Sequence, residues 1–257
     1  MGRLHHLQQT FRRNVEWNRS YPGVEFVLLD YSSTDGLDQW VQRELAEYVA
    51  SGLVVFYQAR GFVAWHGSHA RNIAHRLASG AITCNLDADN FTGPNLAHIL
   101  AEAFATNESI FLRAPSENGD HGRLAFRKAD LLALGGYDER FIHGWGYEDT
   151  DLIHRAKRWG LQECFLPHQR GSARYIEHGD VERVRHSAEK NKLTSRKRHR
   201  QLSLRSLRGG QVVANTGSSW GRATVVRNFT MTIDSWLCPQ HETIKKDDEL
   251  CKTQARF

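Results

Sequence analysis

Long apolar runs are missing from this 257-residue chain. No stretch approaches the roughly 18 uninterrupted apolar residues of a membrane-spanning helix. The opening, Met1-Gly2-Arg3-Leu4-His5-His6, has no apolar core of a secretory leader. Cysteine is scarce: Cys84, Cys164, Cys238 and Cys251 form no Cys-x-x-Cys pair and no metal-finger spacing. With scattered thiols and no leader, the expected setting is reduced and cytoplasmic. Charge of one sign is not in large excess either, since 34 Lys+Arg against 29 Asp+Glu leaves +5. At 40% apolar residues the chain is no disordered tail, and it has material for one large domain or two small ones. No internal repeat is visible.

What is present is an alternation of helix-like and strand-like patterns. Leu4, Leu7, Phe11 and Val15 recur at helical spacing, so residues 3–17 are expected to form an amphipathic helix. Val24–Leu29 reads as a buried strand ending at Asp30, and residues 37–51 as a helix stopped by Gly52. Leu53–Tyr57 is the next strand, Ala70–Leu77 marks a helix ending at Gly80, and Ala81–Leu86 is a strand running into Asp87-Ala88-Asp89. This order predicts an α/β chain with a mostly parallel sheet between helices. Such sheets bind ligands beyond the carboxyl ends of their strands, where Asp30, Asp87 and Asp89 stand. A sheet of this type begins on a strand, whereas this chain begins on a helix, so a first strand is expected to be missing.

Composition shifts past residue 180, giving a division into residues 1–180, a basic helical segment 181–208 and an extension 209–257. Between Arg183 and Arg208 stand ten Lys/Arg and one acid, Glu189, which predicts a helix with a solvated basic face. Gln211–Ala214 and Ala223–Val226 are candidate partners in a hairpin, and the chain from His241 onward reads as weakly ordered.

Three clusters can carry chemistry. In extended backbone Asp87 and Asp89 face one side, and two hard oxygens there suit Mg or Mn; the plainer alternative is a solvated turn. Arg71, on a helix opened by Gly67-Ser68-His69, can fork onto a diphosphate or the Asp pair, or simply lie on the surface. Asp30 can accept the imide proton of uracil, or cap a turn. In His143-Gly144-Trp145-Gly146-Tyr147-Glu148-Asp149-Thr150-Asp151, the glycines permit close backbone approach and Trp145 offers a face for a sugar, or fills the core. Glu148, Asp149 and Asp151 fall in the first turn of a helix, as a general base or as dipole-favoured acids worth ~0.3–1 kcal/mol each.

In this order the runs resemble the GT-A glycosyltransferases, above all the family 2 enzymes and the galactosyltransferase family 7 C-terminal region. The matching pieces are Leu28–Gly36, Ala70-Arg71-Asn72, Asn85–Asp89, Phe126-Arg127-Lys128, Gly135–Glu139 and Gly144–Leu152, across roughly residues 1–190. The Gly-Trp-Gly-x-Glu-Asp run is the most specific of them. The resemblance implies a GT-A, Rossmann-like mixed sheet flanked by helices, a UDP-sugar donor, an acceptor hydroxyl on a glycan or glycoconjugate, and a Mn2+ or Mg2+ ion. It implies that Asp30 contacts uracil, Arg71 the diphosphate, Asp87 the ribose and metal region, and Asp89 the metal. Trp145 and Gly146 would line the sugar and acceptor site, Glu148 would hold the acceptor hydroxyl, and Asp149 would be the base. A downstream histidine completes the metal shell in such enzymes, here His178 in preference to His186. Tyr31 departs from family 2, many of whose members have a second acid there.

A nucleic-acid module built on the basic segment is the rival from another class. That segment has no aromatic residue and the net charge is modest, so contact with an anionic membrane or lipid-linked acceptor is the better expectation. A binding-only relative without turnover is the second rival.

Overall fold

The computed structural model describes residues 1–115, 121–167 and 175–236. Leu7, Phe11 and Val15 put α1 (Leu4–Asn18) face down on β1 (Phe26–Tyr31), where they pack with Leu28 and Trp40. The predicted helix over 37–51 is two helices, α2 (Leu37–Glu44) and α3 (Ala46–Ala50). Leu45 divides them because its fully buried side chain is taken into the core at a φ of −119°. Then come β2 (Val54–Ala59), α4 (Gly67–Leu77), β3 (Ile82–Cys84) and α5 (Leu96–Thr106). The chain continues through β4 (Ile110–Arg113), β5 (Leu124–Arg127), α6 (Lys128–Ala133), α7 (Glu148–Trp159) and β6 (Gln162–Phe165). It closes with α8 (Asp180–Arg183), α9 (Lys192–Arg208), β7 (Thr224–Arg227) and β8 (Met231–Asp234).

Among the described residues the strands form two four-stranded sheets, ordered β1-β2-β7-β8 and β3-β5-β4-β6. Only β1–β2 and β4–β6 are parallel; the other pairings are antiparallel. The mostly parallel sheet expected from the element order is therefore corrected to a mixed one. Its cause lies beyond Asp89, where β5 follows β4 without a long crossover and so must return antiparallel. A core of Phe111, Leu124, Phe126, Leu131, Leu134 and Leu152 seals the second sheet against α6 and α7.

The hairpin is also corrected. Thr224–Arg227 pairs with Met231–Asp234, not with residues 211–214. In the three-residue connection Asn228-Phe229-Thr230, Asn228 and Phe229 both take positive φ and the Thr230 amide bonds to the Arg227 carbonyl at 3.1 Å, closing a tight turn. Ala214 instead bonds to the Leu134 carbonyl and sits under Gly135, where a Cβ would stand 2.1 Å from the Ala214 oxygen. Through β7 this hairpin extends the first sheet beside β2.

The basic helix α9 lies over α7, and its inner face is mostly polar. Ser195, His199, Ser203 and Leu207 are buried at four-residue spacing, while Leu193 is exposed. The weak order expected from His241 onward lies outside the described residues. Among those described, no helix is long and apolar enough to cross a membrane.

Candidate active site

Beyond β3 the chain leaves extended geometry before it reaches the second acid. The Asn90 amide bonds to the Asp87 carbonyl at 3.0 Å, closing a turn through Ala88 and Asp89. The two carboxylates therefore do not share one face, as an extended strand would have required. Asp87 Oδ1 accepts from Arg71 Nη2 at 3.3 Å and from Asn85 at 3.2 Å. Asp89 turns the other way, with Oδ2 2.5 Å from His178 Nε2.

Arg71 sits on α4 and gathers the acids of α7. Its Nη1 donates to Glu148 Oε1 at 3.0 Å and lies 3.9 Å from Asp149 Oδ1. Burial opposes its charge, but Asp149, Asp87 and Glu148 together hold its pKa well above the ordinary value. Of the two readings for Arg71, the surface one is thus excluded. Tyr147 caps α7 in the left-handed region at φ 79°, an uncommon conformation for a bulky residue, and this kink delivers Glu148 and Asp149 into the cleft wall. Asp149 is largely buried and its Oδ1 has no hydrogen-bond partner. Burial pushes its pKa up to about 7, against the lowering effect of Arg71 and with help from Glu148 and Asp87. The third acid of that turn does something else: Asp151 is buried and holds Arg155 at 2.7 Å and Ser203 at 2.6 Å.

Of the two candidate histidines, His178 faces Asp89. His186 lies instead against Gly2, and its carbonyl accepts from the Trp65 amide at 2.7 Å. A third ring joins the pair: ligand atoms of His6, Asp89 and His178 all lie within 4.8 Å of one another. His6 stacks on His178 at 5.1 Å, and burial, with His5 and Arg3 nearby, pushes it down to about 4, so the ring is neutral at pH 7. Sequence reasoning missed His6, which counted there only as one residue of an amphipathic helix. Its signal would have been a histidine at the polar, N-terminal end of that helix. One carboxylate and two imidazoles fit a divalent transition ion, and the buried, unpartnered Nδ1 of His178 adds an unexplained polar atom at the same place.

The remaining predicted residues are placed more plainly. Asp30 is fully buried; Oδ1 caps Ser33 at 2.8 Å and Oδ2 holds Arg60 at 2.9 Å, so the turn-capping alternative is realised. Tyr31 stacks on Phe62 at 4.2 Å and bonds His69 at 3.0 Å, a packing role. Trp145 and Gly146 line the same cavity as Asp87, Asp89, Glu148, Asp149 and His178, a space of about 1010 Å³. Lys192 Nζ lies 4.6 Å from the centre of the Trp145 ring, so α9 reaches the rim of the cleft. Gly144 serves α9 instead: a Cβ there would stand 2.2 Å from the Ser195 Cβ.

Residues 104–179, which carry Trp145, Glu148, Asp149 and His178, match the family model described as the N-terminal domain of galactosyltransferase. No curated protein matches the chain in sequence. Among solved structures, GalNAc-T7 with UDP, GalNAc and Mn2+ superposes with a TM-score of 0.54 at 18% identity, covering 67% of this chain and 41% of that one. TarS of S. aureus superposes with a TM-score of 0.53 at 15% identity, covering 67% of this chain and 34% of that one. Both are GT-A fold glycosyltransferases, and the chain spans well under half the length of either. The chain thus has the GT-A glycosyltransferase fold and, across residues 104–179, is similar to the galactosyltransferase family model.

Proposed function

We propose that this chain is a metal-dependent glycosyltransferase that moves a hexose, galactose or an N-acetylhexosamine, from a UDP-sugar to an acceptor hydroxyl with inversion. The observation that carries the reading is Asp149, a largely buried carboxylate with one unpartnered oxygen and a pKa of about 7 in the wall of the cleft that Trp145 also lines. A general base works best when its pKa lies near the operating pH and its oxygen is free to take the proton.

Asp89, His178 and His6 would hold the ion, with Asp87 toward the donor; the imidazoles favour Mn2+ over Mg2+. When bound, that ion offsets the charge developing on the departing diphosphate. The side chains of this chain do the rest. Trp145 and Gly146 flank the acceptor, Glu148 accepts a hydrogen bond from its hydroxyl, and Asp149 removes the proton as the oxygen attacks the anomeric carbon. The bond to UDP breaks on the opposite face, which inverts the anomer. Arg71 keeps Glu148 in place while it steadies Asp87. Asp30 shapes the loop after β1 through the Ser33 amide and Arg60.

The test is release of UDP from a panel of UDP-hexoses, with Mn2+ and simple glycoside acceptors, followed by anomer assignment of the product. Turnover is expected, and Asp149→Asn is expected to lower kcat by ~10²–10⁴-fold while UDP still binds. UDP binding without turnover in the unaltered chain would instead identify a binding-only relative.

A further inference from the structure

The ring of Trp145 does not stand bare at the cleft. Lys192 Nζ lies 4.6 Å and Arg183 Cζ 5.7 Å from its centre, the one from α9 and the other from α8. Both cations share a single carboxylate oxygen, Asp180 Oδ1, at 2.6 and 3.5 Å. Their side chains are only 17% and 27% exposed, whereas that of Asp180 is 61% exposed. A third cation comes one turn along α9. Arg196 lays its stem against Gly146, with Cγ 3.6 Å from where a Cβ would stand, and it lines the cavity. Among the described residues Arg196 has no hydrogen bond or ion pair.

This placement is fixed, and it runs against local preference. Ser195, between the two α9 cations, accepts from the Trp145 amide at 3.2 Å and donates to its carbonyl at 3.0 Å. Those bonds set Lys192 and Arg196 beside the Gly-Trp-Gly run. Helix starts favour acids, because the free amides of the first turn carry partial positive charge. Helix α9 has no acid in its first turn and opens on Lys192. Three cations against one acid, at the positive end of a helix, leave the Trp145 rim short of negative charge. The acids of the cleft do not supply it. Arg71 takes Asp87 and Glu148 and borders Asp149, His178 faces Asp89, and Arg3 with His5 takes Glu182. A local rule broken with no stabilising return marks a functional place.

We infer that the acceptor is an anionic saccharide, whose carboxylate, phosphate or sulfate is held by Arg196, Lys192 and Arg183 at the Trp145 rim. The inference rests on the reading of the cleft as a glycosyltransferase site and names the substrate class of its acceptor half. Arg196 offers the planar fork that suits such groups, and Lys192 a point charge. The anion joins Asp180 in balancing the three cations, while a hydroxyl deeper in the cleft faces Asp149. A neutral sugar leaves Arg196 unmatched and the charge of the rim uncompensated.

The test is calorimetric titration of the full chain, with and without UDP and Mn2+. The probes are methyl glucoside, its phosphorylated and sulfated forms, and methyl glucuronide. At least one anionic glycoside should bind about tenfold or more tightly than the neutral parent, the worth of one charge-assisted hydrogen bond. Lys192→Gln combined with Arg196→Gln should erase that preference. Lys197→Gln, the same charge change at an exposed residue outside the cavity, should keep it. The comparison of neutral and anionic probes in the unaltered chain needs no variant, so it decides the matter even where the double variant fails to fold. Equal binding of neutral and anionic glycosides, binding of none, or a preference untouched by the double variant would overturn the proposal. So would affinity for phosphatidylglycerol vesicles alone, which would give the cations to a lipid surface instead. Anion preference in binding without turnover would sustain the site and sink the transferase reading; equal turnover of neutral and anionic acceptors would do the reverse.

Discussion

Asp149 and Arg71 show how burial and charge share one cleft. The carboxylate gains less from Arg71 than it loses by leaving water beside Glu148 and Asp87, so its proton is held up to about pH 7. The sign for activity follows directly. Below that pH Asp149 is already protonated and cannot take the acceptor's proton; above it the carboxylate can. The acid limb of kcat/KM should fall tenfold per pH unit below an inflection near 7, and a limb near the ordinary carboxylate value of about 4 would contradict the assignment. Legibility at this scale was uneven. Asp87 and Asp89 stood out as a carboxylate pair at a strand end and Glu148 and Asp149 as acids in the first turn of a helix, while their roles, and the choice of His178, came from the resemblance. What stayed hidden was pairing across space: Arg71 bridging three acids, and His6 closing on Asp89 from a helix 83 residues earlier in the chain.

The elements carry their own lesson in α9. Periodicity picked out a basic helix, but its buried seam is polar. Ser195 bonds the backbone of Trp145 in both directions, His199 takes the carbonyls of Gly146 and Ile142, and Ser203 donates to Asp151. Small polar residues that satisfy buried backbone do not register as a hydrophobic stripe, so this seam left no mark in the pattern. The seam holds the Gly-Trp-Gly run in position and leaves most of the cations outside. Since a Cβ on Gly144 would stand 2.2 Å from Ser195, Gly144→Ala should destabilise by ~1–3 kcal/mol through overpacking. Chemical denaturation would show it as a lower midpoint, and an unchanged midpoint would mean that α9 does not bear on this loop. The hairpin error is of the same kind: two short apolar runs were paired by pattern, while the Asn228-Phe229 turn decided the partner.

For the molecule as a whole, the order of strands and helices was readable up to Asp89, and the antiparallel returns that follow were not, because local pattern carries no strand polarity. The assembled chain places Asp149 on one wall of a single cavity and the Asp89–His178 pair on another, with His6 at the start of α1 beside that pair. That arrangement is the central claim: nucleotide is held through a divalent ion on Asp89 and His178. Ligand that binds only the folded state raises its melting temperature by mass action. The most direct measurement is therefore the thermal shift produced by UDP, with and without Mn2+, in the unaltered chain and in Asp89→Ala and His178→Ala. A rise that requires Mn2+ and is lost in both variants is the predicted result. A rise of equal size without the ion, or one kept by both variants, would contradict it.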